Sequence, residues 1–303
     1  MRVRRLTLAA PRAFVWEEVT LPPPGPGEVR VRTHLSAVSV GSELGVVEGH
    51  LPGWSYPCPL GYQTLGLVEA AGEGVNLAPG TRVVTTLGHV GGGVHRVETA
   101  LPVPDPVPDR VALAAILGEE THKGIRRVAP GSGERVLVAG AGLLGLLTVF
   151  NLTRRGISDV TVTEPDPARR ELAVAFGARE VVPPGHVGRD DFDVGFECSA
   201  SPQAFAELLA HLRPGGRVCV LSDGNWGALT LPPAFHTREL TVTASSDGQD
   251  YPAYARWLWG HADPVLARLF EVTVTPEDLP DVFEGLRGLP RPVSPVVDWR
   301  GGG

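Results

Sequence analysis

The sequence predicts an α/β protein of two domains, one rich in short strands and one built on a doubly wound parallel sheet. Three observations lead to this fold class. The chain has 303 residues, a length that suits two domains with a sizeable core. Its first 110 residues are rich in β-branched residues, proline and glycine, and from residue 135 onward strands alternate with helices. Such alternation implies a parallel sheet covered by helices.

The N-terminal part consists of short strands separated by turn residues. Alternating patterns predict strands over 28–33, 66–70 and 81–85. Regular short strands of this kind are typical of a compact, barrel-like β domain. The proline-rich segment 102–108 predicts a stiff, extended connector and a domain boundary. A helical pattern follows over 111–128.

A glycine-rich turn joins a predicted strand to a predicted helix in the second domain. Its elements are the strand 135–139, the turn Gly140-Ala-Gly142-Leu143-Leu144-Gly145, an apolar helix ending near Arg155, and the strand 160–163 followed by Glu164. The first glycine makes the tight turn, the second lets the backbone approach a pyrophosphate, and the third lets the helix pack on the strand. The phosphates would lie at the helix N-terminus. With an acid 19 residues after the third glycine, the pattern predicts a bound dinucleotide.

The acid at the end of the second strand bears on which dinucleotide is bound. The Glu164 carboxylate would accept hydrogen bonds from the adenosine ribose and repel a 2′-phosphate, which favours NAD. Arg169 and Arg170 follow five and six residues later. Either one would stack on the adenine or accommodate a 2′-phosphate, so NADP is the alternative.

Strands and helices continue to alternate after Glu164. The predicted elements are a helix over 167–176, a strand over 193–198, a helix over 202–212, and strands over 216–221 and 240–244. The C-terminal part is predicted to hold helices around 254–270 and 276–286 and a strand over 294–298.

Composition excludes several classes of partner. The net charge of −7 argues against nucleic acid or an anionic membrane as a general partner. The N-terminus lacks the apolar stretch of a signal peptide, and no apolar run reaches the roughly 20 residues that span a bilayer. Cys58, Cys198 and Cys219 have no short paired spacing, which fits a reducing compartment. We expect a cytoplasmic protein with a small-molecule substrate.

Several motifs distributed along the chain are those of one known family. They are Gly25-Pro-Gly-Glu-Val-Arg-Val-Arg32, Ser39-Val-Gly-Ser-Glu43, Tyr56-Pro-Cys-Pro-Leu-Gly-Tyr-Gln63, Pro130-Gly-Ser-Gly-Glu-Arg-Val-Leu-Val-Ala-Gly140, Phe196-Glu-Cys-Ser-Ala200 and Leu212-Arg-Pro-Gly-Gly-Arg-Val218. With them the chain resembles the medium-chain dehydrogenase/reductase family, the superfamily of zinc alcohol dehydrogenases and quinone reductases.

The resemblance implies a domain organisation. A GroES-like β-barrel catalytic domain would comprise residues 1–112 and 249–303, and a Rossmann domain would comprise residues 113–248. The active site would lie in the cleft between the domains. The family's habit of pairing Rossmann sheets implies a homodimer, for which the segment 224–231 is the candidate strand.

The chain departs from the family's zinc-dependent members at the metal ligands. The position of their cysteine ligand is Val40, and their His-Glu pair is Tyr62-Gln63. No cysteine lies near 116–121, where the last ligand would come from, and the four-cysteine lobe for structural zinc is missing. Because a catalytic zinc needs three protein ligands with N, S or O donors, we expect no metal at these positions.

Without zinc, another group must stabilise a developing alkoxide. The resemblance places Ser42 at the proton-relay position, although a serine in this context also suits a helix N-cap. Tyr62 would donate a proton to an oxyanion, or would simply fill the vacated metal pocket. Glu43 stands where zinc enzymes carry an aspartate behind the ligands, and a structural role is favoured for it. His122 is a candidate acid or base, with an exposed helical histidine as the alternative.

The resemblance also implies further cofactor contacts. Thr121 would touch the cofactor near the hinge, Cys198 and Ser199 would line its channel, and Leu221 and Ser222 would face the nicotinamide. Two functional classes remain open. One is a zinc-independent, NAD(P)-dependent oxidoreductase that transfers hydride between nicotinamide and a small carbonyl or alcohol, enone or quinone. The other is a non-catalytic nucleotide-binding protein. The retained Ser42 and the unbroken glycine fingerprint favour the enzyme.

Overall fold

The computed structural model describes residues 1–51, 53–224 and 227–301. The chain divides into two compact units: unit 1, Met1–Ile116 with Asp250–Gly303, and unit 2, Leu117–Gln249. Unit 1 is dominated by antiparallel strands, whereas unit 2 contains a fully parallel sheet flanked by helices. The predicted α/β fold class, a barrel-type β domain plus a doubly wound parallel-sheet domain, is confirmed.

The helices and strands occur in the following order along the chain. The N-terminal part contains β1 (Arg2–Ala10), β2 (Ala13–Thr20), β3 (Glu28–Ala37), α1 (Val40–Val47), β4 (Cys58–Pro59), β5 (Thr64–Ala71), β6 (Arg82–Thr85), β7 (Gly92–Arg96), β8 (Leu101–Pro102) and α2 (Asp109–Leu113). Then come α3 (Ala115–Val128), β9 (Val136–Ala139), α4 (Leu143–Thr153), β10 (Val160–Thr163), α5 (Pro167–Ala175), β11 (Glu180–Val182), β12 (Phe192–Glu197), α6 (Pro202–Ala210), β13 (Leu212–Val220), α7 (Pro233–Thr237) and β14 (Thr241–Ala244). The last elements are α8 (Tyr251–Gly260), β15 (Thr273–Val274), α9 (Leu279–Gly285) and β16 (Val296–Asp298).

Two sheets form the framework of unit 1. The larger has the strand order β15-β16-β3-β5-β6-β8, with β7 also paired to β3, and the smaller has the order β2-β1-β4. The strands predicted over 28–33, 66–70 and 81–85 lie within β3, β5 and β6. Their inward-facing valines, among them Val31 and Val83, are fully buried. Removal of this apolar surface from water stabilises the unit.

The sheet of unit 2 is parallel and has the order β11-β10-β9-β12-β13-β14. The order reverses between β9 and β12, so connections leave these two neighbouring strands in opposite directions. In sheets of this kind ligands bind in the crevice at the carboxyl ends of the strands where the order reverses. Ala139, the last residue of β9, pairs with Thr163 on one side and Glu197 on the other. The glycine turn that follows Ala139 therefore starts at this crevice.

The structure differs from the prediction in the C-terminal helices. The helix predicted around 254–270 ends at Gly260, and a 3-10 helix occupies 264–270. Asp263 begins that second helix by accepting a hydrogen bond from the Val265 N–H at 2.9 Å, and Pro264 cannot continue α8. The helix predicted around 276–286 likewise starts as a 3-10 turn over 276–278 before α9.

Other predicted bounds shift in ways that have a physical reason. The predicted helix 111–128 is two helices, α2 and α3, and unit 1 extends to Ile116 because α2 packs against β5 and the 264–270 helix. The proline-rich segment 102–108 thus belongs to unit 1.

The segment proposed for dimer pairing contains Asn225 and Trp226, which lie outside the described residues, and residues 227–231 form no strand. In the described ranges, no helix is long and apolar enough to cross a membrane.

Candidate active site and dinucleotide site

The turn after β9 has the backbone geometry that a dinucleotide site requires. Gly140 has φ +97°, a conformation that favours glycine, and a Cβ on it would lie 3.0 Å from the Ser199 Cα. A Cβ on Gly145 would overlap the carbonyl oxygen of Gly140. Both glycines are therefore required for the close packing of turn, helix and neighbouring strand.

The N-terminus of α4 is open for an anion. Gly142 is its N-cap, and no described side chain caps this terminus, which leaves the N–H groups of Leu143 and Leu144 at the exposed end of the helix. The nearest heavy atom to a Cβ built on Gly142 is a guanidinium nitrogen of Arg169, at 4.0 Å. The turn therefore combines helix-terminal N–H groups with a nearby positive charge, which suits a pyrophosphate.

The Glu164 carboxylate braces the glycine turn from the next strand. Its Oε2 accepts a hydrogen bond from the Ala141 N–H at 2.7 Å, and its Oε1 accepts one from the Asp166 N–H at 3.0 Å. The residue is 5% exposed. An ionised carboxylate has about four lone-pair sites, so two backbone bonds leave capacity for ribose hydroxyls. Arg170 is committed elsewhere, because it donates to the carbonyl oxygens of Glu164 and Pro165 at 2.9 and 2.7 Å.

A buried acid at the end of β12, missed by the sequence reasoning, organises the other side of the crevice. Glu197 accepts hydrogen bonds from the Ser199 N–H and hydroxyl, both at 2.7 Å, and from the Ala200 N–H at 2.9 Å. It also accepts from the Ser222 hydroxyl at the end of β13. The sequence pattern could have indicated this acid, because Glu197 ends an apolar strand as Glu164 does. Glu197 fixes Ser199 and Ser222, two predicted cofactor contacts, relative to each other.

The remaining predicted contacts after β12 and β13 differ in accessibility. The Cys198 side chain is buried, and its Sγ lies 3.8 Å from Thr148 Oγ1 on α4. Burial, assisted by the charge of Glu197, raises the pKa of the Cys198 thiol well above its ordinary value. Leu221 and Ser222, by contrast, line a cavity of 230 Å³ within unit 2, so these two residues are accessible to a ligand.

Thr121 and His122 lie in the middle of α3 and are engaged within unit 2. The Thr121 hydroxyl donates to the Gly118 carbonyl oxygen at 2.9 Å and accepts from the Asn151 side chain at 2.9 Å. Thr121 is fully buried. Its contacts therefore join α3 to α4.

His122 shares a small polar cluster with its own helix. Arg126 donates to His122 Nδ1 at 2.7 Å and to the buried carboxylate of Glu119 at 2.9 Å. His122 Nδ1 also lies 3.2 Å from Glu119 Oε2, so this ring nitrogen is engaged within the cluster. The side chain is 15% exposed, so it is not the freely exposed histidine considered as the alternative.

In unit 1, three hydroxyl groups form a closed triangle beside Val40, and one of them, that of Tyr62, stands at a position that the resemblance assigns to a metal ligand. Ser42 Oγ lies 2.9 Å from Ser39 Oγ and 2.9 Å from the Tyr62 hydroxyl, and the Tyr62 hydroxyl lies 2.7 Å from Ser39 Oγ. Ser39 was not among the predicted site residues. The N-cap of α1 is Ser39, so the alternative that Ser42 caps this helix is wrong.

A chain of buried polar groups supports the triangle. Glu43 Oε1 accepts from the Ser39 N–H at 2.7 Å, and Glu43 Oε2 pairs with His89 Nε2 at 2.9 Å. His89 Nδ1 lies 2.8 Å from Ser36 Oγ, which accepts from the Trp299 indole N–H at 2.9 Å. Glu43 is 2% exposed. Both of its oxygens face backbone or imidazole donors, so the carboxylate serves as a brace for Ser39.

The donor set at the former metal-ligand positions does not fit zinc. Val40 has no donor atom, and the Gln63 amide is a weak ligand in place of a carboxylate. Gln63 is fully buried, and neither its amide oxygen nor its amide nitrogen has a hydrogen-bond partner in the structure. Across the described ranges, no group of three or more His, Cys, Asp or Glu side chains is arranged to hold a metal ion.

Comparisons with known proteins agree with this architecture. Residues 25–100 match the family model of the alcohol dehydrogenase GroES-like domain, and residues 144–260 match that of the zinc-binding dehydrogenases. L-threonine 3-dehydrogenase of Chelativorans sp. (strain BNC1) is 27% identical over 270 residues, which cover 72% of this chain and 76% of the relative. The 2-desacetyl-2-hydroxyethyl bacteriochlorophyllide A dehydrogenase of Cereibacter sphaeroides is 26% identical over 324 residues, covering 99% of each chain.

Solved structures share the fold. A protein described as a zinc-binding dehydrogenase from Sinorhizobium meliloti 1021, crystallised with NADP, superposes with a TM-score of 0.87. It is 20% identical, and the match covers 98% of this chain and 99% of that one. The fold and the glycine turn define a two-domain protein of the dehydrogenase type. The chain belongs to the medium-chain dehydrogenase/reductase family.

Proposed function

We propose that this protein is a zinc-independent, NAD(P)-dependent oxidoreductase that transfers hydride between nicotinamide and a small carbonyl or alcohol, enone or quinone. The observation that carries the proposal is the hydroxyl triangle of Ser39, Ser42 and Tyr62, in which Tyr62 stands at a metal-ligand position of the family and Ser42 at its proton-relay position. The same chain keeps an intact glycine turn. A protein that had only retained the scaffold would have no need of clustered hydroxyl groups there.

The hydroxyl triangle supplies what the metal supplies in zinc enzymes, namely stabilisation of negative charge on the substrate oxygen. When bound, a reduced nicotinamide dinucleotide supplies the hydride. The chain's own contribution is hydrogen bonding to the oxygen and delivery of a proton to it. General acid catalysis of this kind contributes about 10²–10⁴-fold to a rate. Enones and quinones need less electrophilic assistance than simple ketones, so they fit a site without a Lewis acid.

Two of the predicted catalytic residues take other roles in the proposal. Glu43 is a positioning residue, because its oxygens are occupied by Ser39 and His89. His122 is assigned no step, because Arg126 and Glu119 engage its Nδ1 within α3. Tyr62 and Ser42 remain members of the hydroxyl triangle that delivers the proton to the substrate oxygen.

The residues of the glycine turn fit the dinucleotide. Leu143 and Leu144 offer N–H groups to the pyrophosphate, and Arg169 adds a positive charge beside Gly142. We propose NAD as the cofactor because the buried Glu164 carboxylate disfavours a 2′-phosphate. The NADP found in the Sinorhizobium meliloti relative keeps NADP as the competing choice.

The proposal includes a homodimer in the cytoplasm. The net charge of −7 keeps the protein away from nucleic acid and anionic membranes, so a small molecule is the proposed substrate. Light scattering after size exclusion decides the oligomeric state, since a mass near 32 kDa rather than twice that value would contradict the dimer.

The experiment that tests the proposal combines metal analysis, cofactor titration and turnover. Purified protein is analysed for zinc and then titrated in parallel with NADH and NADPH by fluorescence. It is then assayed with benzaldehyde, cyclohexenone and 1,4-naphthoquinone, one compound for each substrate class, and in the reverse direction with L-threonine. We expect tighter binding of NADH, no stoichiometric zinc, and turnover that Tyr62→Phe reduces. Stoichiometric zinc would overturn the metal-free mechanism, and binding without any turnover would favour the non-catalytic nucleotide-binding protein.

A further inference from the structure

We infer that Ser39 is the group that hands the proton to the substrate oxygen, that Tyr62 is the source of this proton, and that Glu43 and His89 position Ser39. The inference rests on the proposed oxidoreductase function and adds a residue to its site. Ser39 differs from the other two hydroxyl groups in the direction of its hydrogen bonds.

Counting hydrogens in the triangle singles out Ser39. The geometry makes Ser42 and Tyr62 the donors to Ser39 Oγ, so neither has a hydrogen left for the 2.9 Å contact between them. Each hydroxyl has one hydrogen and two lone pairs. Ser39 Oγ therefore accepts two hydrogen bonds and has its own hydrogen left over. No described residue accepts that hydrogen, so it is available to an oxygen of a bound substrate.

The position of Ser39 at the start of α1 supports the same conclusion. An N-cap serine ordinarily uses its side-chain oxygen to accept from a backbone N–H of the first turn. Ser39 is the N-cap of α1 but makes no such bond. Instead, the Glu43 carboxylate accepts from the backbone N–H of Ser39, which anchors the residue by its main chain. The hydroxyl is thus kept out of helix capping and directed into the triangle.

A series of buried hydrogen bonds behind Glu43 fixes the orientation of the carboxylate that holds Ser39. Trp299 donates to Ser36, which has one hydrogen to give to Nδ1 of His89, so that Nε2–H of His89 faces Glu43. This tautomer gives each contact of the chain one hydrogen. The Glu43 carboxylate also lies in the first turn of α1, where the helix dipole stabilises negative charge. The carboxylate is thereby held between the His89 imidazole and the Ser39 N–H.

The proton transfer balances as follows for a carbonyl substrate. A bound reduced nicotinamide would supply the hydride for the new C–H bond, and the electron pair of the C=O π bond would then lie on the oxygen. The Ser39 O–H bond breaks as the substrate O–H bond forms. The Tyr62 proton moves along its existing 2.7 Å hydrogen bond to Ser39 Oγ, which restores the serine. Tyr62 is left as a phenolate, and the Ser42 hydrogen turns from Ser39 Oγ to the phenolate oxygen 2.9 Å away until water returns a proton to Tyr62.

The test compares Ser39→Ala with two other variants. Ser39→Thr keeps a hydroxyl at the same position. Thr275→Ala removes a hydroxyl from another helix start in unit 1, where the Thr275 side chain does take part in a capping box. We expect Ser39→Ala to lower kcat with NADH and 1,4-naphthoquinone by about 10²-fold, with the Kd for NADH unchanged. Ser39→Thr should recover most of kcat. Thr275→Ala should lower the melting temperature and leave kcat unchanged.

A second readout does not depend on turnover. The chain has four tyrosines, so protein labelled with ¹³C at tyrosine Cζ gives few signals, and the one missing in Tyr62→Phe belongs to Tyr62. Because the Cζ shift reports hydrogen-bond donation by the phenol, Ser39→Ala should move the Tyr62 signal and Thr275→Ala should not. A kcat for Ser39→Ala within about threefold of the wild type, or an unmoved Tyr62 signal, would overturn the role of Ser39. Absence of turnover in the wild type together with a moved signal would contradict the proposed function while supporting the Ser39–Tyr62 hydrogen bond.

Discussion

His89 Nε2 lies 2.9 Å from a carboxylate oxygen of Glu43, and both side chains are almost completely buried. The pair links β3 and α1 through Ser36 and Ser39. This hydrogen-bonded chain of side chains fixes the start of α1 from the barrel side.

Removal of the imidazole should therefore destabilise the protein. His89→Ala leaves the buried Glu43 carboxylate with one hydrogen-bond donor fewer, and leaving a buried acceptor unsatisfied costs about 1–3 kcal/mol. Urea unfolding followed by circular dichroism measures the loss. In a cycle with Glu43→Gln, the double variant should be more stable than the sum of the single losses predicts. Losses that add within about 0.5 kcal/mol would show that the two residues do not interact.

Two substitutions in the glycine turn separate its role in stability from its role in cofactor binding. Gly145→Ala should destabilise unit 2 by several kcal/mol, because its Cβ would overlap the Gly140 carbonyl oxygen. Gly142→Ala should fold normally, since Gly142 has φ −77° and its nearest neighbour is Arg169 at 4.0 Å. Its methyl group occupies the space where a pyrophosphate would approach, so NADH affinity should fall at least about tenfold, a loss of about 1.4 kcal/mol.

Gly133→Ala is the matched control for both variants. A Cβ at Gly133 meets no atom within 4 Å, and its backbone is not in the left-handed region. Unfolding curves and NADH titrations of Gly133→Ala should match the wild type. Equal NADH affinity in Gly142→Ala and the wild type would place the dinucleotide elsewhere.

Arg169 gives a test of where the phosphates lie. Its guanidinium is next to Gly142, on the pyrophosphate side of the turn. Arg169→Ala should therefore weaken NADH and NADPH by similar factors, about tenfold each, because both dinucleotides share the pyrophosphate. Parallel fluorescence titrations measure the two losses. A loss confined to NADPH would instead mean that Arg169 contacts the 2′-phosphate, and it would weaken the preference for NAD based on Glu164.

Features that depend on residues close together in the chain could be predicted from the sequence. The turn around Gly140 and the parallel order of strands were predictable because each depends on residues close together in the chain. The break of the predicted 254–270 helix also had a local cause in Asp263 and Pro264, yet the apolar pattern continued across it.

The support of the site was not predictable in this way. His89 and Glu43 are 46 residues apart in the chain, and nothing in the spacing of a lone histidine indicates its partner. Ser39 precedes the recognised Val40 position and looks like an ordinary helix cap. Its distinguishing property, a hydroxyl that caps nothing, exists only in three dimensions.

Cys219 predicts a dependence of stability on alkaline pH. Burial in β13 raises the pKa of this thiol to about 11, whereas in the unfolded chain it ionises near 8.5. A raised pKa means that the folded state resists ionisation, so the associated stability is complete below pH ~8.5 and is lost as the pH rises toward 11. Fully expressed, a shift of this size is worth about 3 kcal/mol. The free energy of unfolding from urea titrations between pH 8 and 11 should therefore fall less steeply for Cys219→Ala than for the wild type. Identical slopes for the two proteins would show that Cys219 ionises as readily in the fold as in the unfolded chain.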